Sequence, residues 1–351
     1  MLTPGPVTVP EFVLTAMCRP VIHHRTDAFR AFYAQLQARL RTLFLTEGLT
    51  GAFPGSGTYG VELAMRSLFH PGERVLVLNL GKFSERWAHY GQLLGLETLE
   101  IQVPWGQSIS LAHLKQIVED QPNLSGVVIT HSETSTGAVV DLEEMAFVLR
   151  RAHPEMLIMV DGITSIGTLP YYHEAWDLDV SIVASQKALL NPAGLVAFAL
   201  SARAEARLRP TFGGDFANLH NYAAQARQHS FPFTPPLTLL YGLDAALAQI
   251  ERHTLPALWQ ASHRSARVFR AGLRALGGEV FASQPSDSLT AFTMDNVDLT
   301  RLKQRLEAEY GLVLAGGQGP LKGHILRVSH MGEADATRME ALLAAMREVL
   351  T

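Results

Sequence analysis

The sequence predicts an α/β fold in which a mostly parallel sheet lies between helices, followed by a smaller C-terminal α+β domain. Three observations predict it. From about residue 58, helical segments alternate with short apolar segments, the pattern of a parallel sheet covered by helices on both faces. Gly126 to His131, Met156 to Asp161, Val180 to Ala184 and Leu195 to Leu200 are apolar runs of strand length. After Pro236 the pattern changes to long helices with few strands.

Thr58 to Phe69 has apolar positions at helical spacing and stops at His70-Pro71-Gly72. Arg74 to Asn79 is a short apolar strand. Phe83 to Leu94 reads as a helix stopped by Gly95, and Leu96 to Gln102 as a strand. Ser110 caps the helix that runs to Asp120. Phe231-Pro232-Phe233-Thr234-Pro235-Pro236 is a stiff extended segment that ends the first sheet region. Helices are expected at Leu237 to Glu251, Pro256 to Leu276, Leu299 to Tyr310 and Ala334 to Val349, with strands near Leu289 to Met294 and Ile325 to Ser329. The expected division is a large domain of residues 1–245 and a small one of residues 246–351, with residues 1–16 packing on the small domain.

Of the 351 residues 47% are apolar and 18% charged, which suits a well-buried globular enzyme and argues against disorder. A net charge of -4 gives no electrostatic reason to expect nucleic acid or an anionic membrane. Cys18 is the only cysteine, so an intrachain disulfide and a thiolate zinc cage are excluded, and no histidine pair has metal-ligand spacing on a helix. The first residues lack a basic region followed by an apolar stretch, and no apolar run reaches membrane-spanning length. A cytoplasmic location is the resulting expectation.

Two residues carry the chemistry. The apolar run Val180 to Ala184 delivers Lys187 to a turn, and Met156 to Asp161 ends in a carboxylate. In a parallel sheet both would sit at the carboxyl ends of strands, where ligands bind. A lysine held in an apolar site has a lowered pKa, and its neutral amine can form a Schiff base. A pyridoxal phosphate enzyme needs such a lysine for the cofactor's aldehyde and an acid for its pyridinium nitrogen. The competing reading is a Lys187 that merely caps a strand at the surface.

Gly55-Ser56-Gly57-Thr58-Tyr59-Gly60 matches the dinucleotide pattern G-x-G-x-x-G. Its context is poor, because Thr50 to Pro54 is a weak strand and proline disfavours a central one. The same residues suit either a plain helix cap or an anion cradle of backbone N–H groups with the Ser56 and Thr58 hydroxyls. Gly316-Gly317-Gln318-Gly319-Pro320 reads as a flexible connection or as a mobile loop over the substrate. Arg327 lies in an apolar strand and needs a partner there.

The ordered motifs resemble the class V aminotransferases of the fold-type I pyridoxal phosphate superfamily, the group that contains alanine–glyoxylate and serine–pyruvate aminotransferases. They are Leu2-Thr3-Pro4-Gly5-Pro6, His23-His24-Arg25-Thr26, Gly55-Ser56-Gly57-Thr58 and Gly81-Lys82-Phe83-Ser84-Glu85-Arg86. They continue with His131-Ser132-Glu133-Thr134-Ser135-Thr136-Gly137, Asp161-Gly162-Ile163-Thr164-Ser165, Ser185-Gln186-Lys187, Phe233-Thr234-Pro235-Pro236 and Leu326-Arg327-Val328. The resemblance covers nearly the whole chain and implies a seven-stranded main sheet, pyridoxal 5'-phosphate as cofactor, and amino acid and 2-oxo acid substrates.

It also implies roles. Lys187 would bond to the cofactor's aldehyde and, once released, shuttle the proton, while Asp161 would hold the pyridine nitrogen protonated. Phe83 would stack on the ring, where many relatives have tryptophan, and Ile163 would pack on the opposite face. Thr134 would hydrogen-bond the ring oxygen. Ser56, Gly57, Thr58 and Gln186 would hold the phosphate. Thr234 would reach the phosphate of a neighbouring subunit, which implies a homodimer with shared sites. Where some relatives place a second phosphate contact by tyrosine, this chain has Phe231. Arg327 would grip the substrate α-carboxylate.

The donor expected from the resemblance is alanine or serine, with glyoxylate or pyruvate as acceptor. Aspartate is the alternative, as in a divergent class V subgroup, and would need a second cation from Arg25, Lys322 or His24. A nicotinamide dehydrogenase and a catalytically silent subunit on the same fold are further alternatives. A cysteine desulfurase, a relative on the same fold, is disfavoured, since it needs a nucleophilic cysteine on a later loop and Cys18 is the only thiol.

Overall fold

The computed structural model of the chain describes residues 1–210 and 214–351. Its strands run β1 (Leu49–Gly55), β2 (Arg74–Asn79), β3 (Glu97–Gln102), β4 (Leu124–Thr130), β5 (Ser132–Glu133), β6 (Ala138–Val139), β7 (Leu157–Asp161), β8 (Val180–Ala184) and β9 (Gly194–Leu200). Seven of them form one sheet in the order β1-β9-β8-β7-β4-β2-β3, and β5 and β6 form a separate hairpin. The sheet is mostly parallel, as the sequence predicts.

Two departures have simple causes. β9 runs antiparallel to both β8 and β1, because the connection 185–193 is too short for the crossover that a parallel neighbour requires. Pro54 does sit in a strand, but β1 is an edge strand paired only with β9. At an edge the missing N–H of proline costs no ladder bond. Because β9 opposes both neighbours, β1 shares the direction of β8, β7, β4, β2 and β3. Their carboxyl ends therefore lie on one side of the sheet.

Strands β2, β4, β7, β8 and β9 bury nearly every side chain, and β7, β8 and β9 are apolar almost throughout for that reason. Helices Asp27–Phe44, Gly57–Leu68, Ser84–Leu93 and Leu142–Ala152 each turn an apolar face toward the core. The helix Leu237–His253 runs unbroken through residues 245 and 246, with Pro235 and Pro236 at its start.

A second sheet follows, with strands β10 (Gly278–Val280), β11 (Leu289–Met294), β12 (Ala315–Gly316) and β13 (Leu326–Ser329) in the antiparallel order β10-β11-β13-β12. Helices Leu255–Ala275, Leu299–Tyr310 and Ala336–Leu350 cover it, and Phe269, Leu302, Leu306, Met339 and Met346 bury themselves against Phe292, Leu326 and Val328. Each such side chain contributes about 1.5–3 kcal/mol by leaving water. Leu2 joins this core: its N–H donates to the Val313 carbonyl at 2.9 Å and its carbonyl accepts from Ser329 N at 2.8 Å. No helix among the described residues is long and apolar enough to cross a membrane.

Candidate active site

The carboxyl ends of β1, β2, β4, β7 and β8 deliver their following residues to one cleft. It is lined by Ser56, Gly57, Thr58, Phe83, Thr130, Ser132, Thr134, Asp161, Ile163, Thr164, Gln186 and Lys187. Segments more than 130 residues apart in sequence meet there because parallel strands place their ends side by side.

Lys187 is buried, not a surface cap. The turn carrying it is fixed on both sides: Leu190 N donates to the Lys187 carbonyl at 3.0 Å, and the Ser185 hydroxyl donates to the Pro192 carbonyl at 2.6 Å. Its Nζ donates to the carbonyl of Pro4. Burial lowers its pKa to about 8, and the positive charge of Arg327 pushes in the same direction. The N-terminal segment closes over this lysine: a Cβ added at Gly5, whose φ is +120°, would lie 2.5 Å from Lys187 Cδ. Val7 N then donates to the Gln186 carbonyl at 3.1 Å.

Asp161 is also buried. Its Oδ1 accepts from Ile163 N at 3.1 Å, and its Oδ2 is 3.4 Å from the Thr130 hydroxyl. That hydroxyl in turn accepts from Trp87 Nε1 at 2.9 Å. No cation pairs with Asp161 within ion-pair distance among the described residues, and burial raises its pKa to about 7.

Ser56 caps the helix Gly57–Leu68 by accepting from Tyr59 N at 3.3 Å. The first N–H groups of that helix have no partner within it, so both the cap and the anion-cradle readings describe this turn. A Cβ at Gly57 would meet Ile163 Cδ1 at 2.5 Å, which explains glycine where the two turns touch. Gln186 adds an amide whose Oε1 is buried and without a partner.

Phe83 heads the helix Ser84–Leu93 and lines the cleft instead of the core. It is anchored by Glu133, a fully buried carboxylate that sequence reasoning passed over. Glu133 accepts from Phe83 N at 3.3 Å, from Ser84 N and Oγ at 3.0 Å each, and from Ser135 N and Oγ at 3.0 and 2.6 Å. Its position inside a polar run was the available signal. Thr134, beside it, shares a 2.6 Å hydrogen bond between hydroxyls with Thr164.

Arg327 is buried on β13 next to the cleft, joined to it through Thr134. Its Nη1 donates to the Thr134 carbonyl at 2.9 Å, while Nε and Nη2 donate to the Gly316 carbonyl at 3.0 and 2.8 Å. No ion pair to a carboxylate is formed by Arg327 among the described residues, which removes the structural salt bridge as its purpose. Two of its five N–H donors remain free. Burial lowers its pKa to about 10, and Glu133 partly offsets that. The glycine-rich stretch near 316 is thus a backbone acceptor for Arg327.

Thr234 is exposed and does not line the cleft of its own chain. Phe231 is buried among aromatics, 5.8 Å from Tyr33 and 5.6 Å from Tyr222 between ring centroids. Arg25 donates to the Phe231 and Pro232 carbonyls at 3.0 Å each, and Lys322 is exposed. Neither these nor His24 lines the cleft, where Lys187 is the one cation among the described lining residues.

The donor set fits pyridoxal 5'-phosphate. It offers a buried amine for an aldehyde, an acid lacking a cation for a ring nitrogen, and apolar Phe83 and Ile163 for a flat ring. A helix N-terminus with the hydroxyls of Ser56 and Thr58 is available for phosphate.

Comparison with known proteins gives a consistent result. The family model described as aminotransferase class-V matches residues 14–336. Over 355 residues the chain is 33% identical to a protein named soluble hydrogenase, small subunit, from Synechococcus sp. (strain PCC 6716), covering 100% of this chain and 92% of that protein. It is 34% identical to the crystal structure of the subgroup IV aspartate aminotransferase from Thermus thermophilus, with a TM-score of 0.92 over 99% of this chain and 98% of that one. An alanine–glyoxylate aminotransferase from Nostoc sp. is 29% identical, with a TM-score of 0.94 over 100% of this chain and 94% of that one.

Proposed function

Because this chain belongs to the class-V aminotransferase family, we propose that it moves the amino group of a small L-amino acid, alanine or serine, to glyoxylate or pyruvate. The observation that carries this reading is the buried amine of Lys187 in one cleft with the buried, cation-free Asp161. Class V aminotransferases bind pyridoxal 5'-phosphate, which supplies an aldehyde for the amino group and a sink for the electrons of the substrate's Cα.

The chain's own groups do the rest. Lys187 Nζ holds the cofactor and, when free, takes the proton from Cα. With its pKa lowered to about 8, the amine is a usable base at mild pH. Asp161 keeps the ring nitrogen protonated by offering it a carboxylate, and that pairing relieves the cost of leaving the acid buried alone. Arg327 offers its two free N–H donors to the α-carboxylate, with its stem held by Thr134 and Gly316. Ser56, Gly57, Thr58 and Gln186 hold the phosphate, Phe83 and Ile163 confine the ring, and Thr134 directs its hydroxyl to it. The 2-oxo acid leaves before the second substrate binds, so ping-pong kinetics result.

The preference for a small, uncharged donor is supported by the candidate second cations: Arg25 donates to the Phe231 and Pro232 carbonyls and Lys322 is exposed. Aspartate is the second reading, supported by the likeness to the Thermus aspartate aminotransferase. A homodimer belongs to the same proposal: Thr234 is exposed, where a neighbouring subunit's phosphate could meet it. A catalytically silent subunit would have no use for Lys187, Asp161 and Arg327 kept together. The test is to mix the yellow, cofactor-loaded protein with alanine, serine or aspartate singly. Alanine or serine should bleach the cofactor band; bleaching by aspartate alone would refute the proposed donor.

A further inference from the structure

Arg86 does not line the cleft, yet it is tied to two residues that do. Its guanidinium stacks on the Phe83 ring, 4.8 Å from the centroid, and its Nη1 donates to Thr58 Oγ1 at 3.1 Å. Thr58 and Phe83 stand at the starts of two different helices, Gly57–Leu68 and Ser84–Leu93, so Arg86 is a strut between them.

Its charge is otherwise unexplained. No carboxylate lies within ion-pair distance of Arg86 among the described residues, and the adjacent Glu85 pairs with Lys82 at 2.9 Å. A half-buried guanidinium beside a helix N-terminus adds positive charge where the helix field is already positive, which is unfavourable unless an anion joins them. The expected phosphate holders Ser56, Thr58 and Gln186 are all neutral, whereas a phosphate monoester carries between one and two negative charges near neutral pH. By occupying a lone pair of the Thr58 hydroxyl, Arg86 also leaves that hydroxyl's proton free to donate.

We propose that Arg86 is a positioning residue for the cofactor phosphate: it sets Thr58 and Phe83 as one unit and supplies the positive charge that the neutral cradle lacks. This rests on the reading that the cleft binds pyridoxal 5'-phosphate. It predicts that the contribution of Arg86 depends on the phosphate and not on the ring.

The test measures uptake of pyridoxal 5'-phosphate and of pyridoxal, which lacks the phosphate, by wild type, Arg86→Gln and Arg86→Lys. Thermal melting of the cofactor-free proteins with inorganic phosphate, at constant ionic strength, provides a readout independent of turnover. Arg86→Gln should weaken pyridoxal phosphate roughly ten- to hundred-fold and pyridoxal by less than about two-fold. Arg86→Lys, which keeps the charge, should recover part of the loss. Inorganic phosphate should raise the melting temperature of wild type but not of Arg86→Gln. Equal losses for both aldehydes, no loss for either, or equal stabilisation by phosphate would overturn the proposal. A wild type that takes up neither aldehyde would sink the cofactor reading, and the phosphate melting curves would still decide the role of Arg86.

Discussion

Lys187 and Pro4, 183 residues apart, are joined by a hydrogen bond from the lysine amine to the proline carbonyl. The N-terminal segment therefore forms a wall of the site. It is pinned at one end to β13 through Leu2 and Ser329, and at the other to Gln186 through Val7. β13 also carries Arg327, so one short segment spans from the strand of Arg327 to Lys187.

Gly5 is the tight point of that wall. A Cβ there would lie 2.5–2.7 Å from Lys187 Cδ, Cε and Nζ, and the φ of +120° favours glycine. Gly5→Ala should leave the fold intact but slow the reaction roughly a hundred-fold, the cost of a displacement of about 1 Å at the reacting group. The loss should appear as slower bonding of cofactor to Lys187 in stopped-flow absorbance. An alanine variant that loads at the wild-type rate would show that the wall yields freely.

Asp161 links pH to stability in cofactor-free protein. Its folded-state pKa of about 7 lies above that of an unfolded aspartate. Folded chain thus holds a proton that unfolded chain releases between about pH 4 and 7. This group's contribution is fully present below that window and is lost as pH rises through it. Cofactor-free wild type should lose melting temperature relative to Asp161→Asn between pH 5 and 8. Loaded with cofactor, wild type should be the more stable at pH 8. Parallel curves for the two proteins would mean that Asp161 titrates normally.

Arg327→Lys should raise KM for the amino acid roughly ten-fold or more, because lysine cannot serve Thr134, Gly316 and a carboxylate together. Cofactor affinity, measured by equilibrium titration, should stay near the wild-type value. Equal losses of both would assign Arg327 a structural role.

Glu133 has five donors converging on it. Glu133→Gln turns an NH2 group toward some of them and should destabilise the protein by about 2–4 kcal/mol in urea. Ser135→Ala removes one of those five donors, the hydroxyl, and keeps the N–H, and should cost about 1 kcal/mol. A stable Gln variant would show that the carboxylate is dispensable for holding Phe83.

Much of this was legible in the sequence. β2, β8 and β11 and the helix Leu299–Tyr310 begin and end where their apolar pattern and turn residues place them. The lysine turn and the acid at a strand end were visible because each interrupts an apolar run. The direction of β9 was not, since an apolar run carries no sign of direction and only the short 185–193 connection fixes it. Helix Asp27–Phe44 had a readable signal, with Phe29, Phe32, Tyr33, Leu36, Leu40 and Leu43 at helical spacing behind Thr26. Glu133 was hidden for a physical reason. A carboxylate flanked by Ser132, Thr134 and Ser135 looks like part of a solvated turn, and only the fold shows that its hydrogen bonds are made inside. The Arg86 contacts to Phe83 and Thr58 depend on two helices meeting, which local pattern does not encode.

The most direct test of the central claim is to load the purified protein with pyridoxal 5'-phosphate, reduce it with borohydride, digest it and locate the added mass. The account predicts a yellow protein whose colour is lost on reduction, with the cofactor joined to the peptide containing Lys187, and a colourless, unmodified Lys187→Ala. A wild type that stays colourless, or a label on any other lysine, would contradict it.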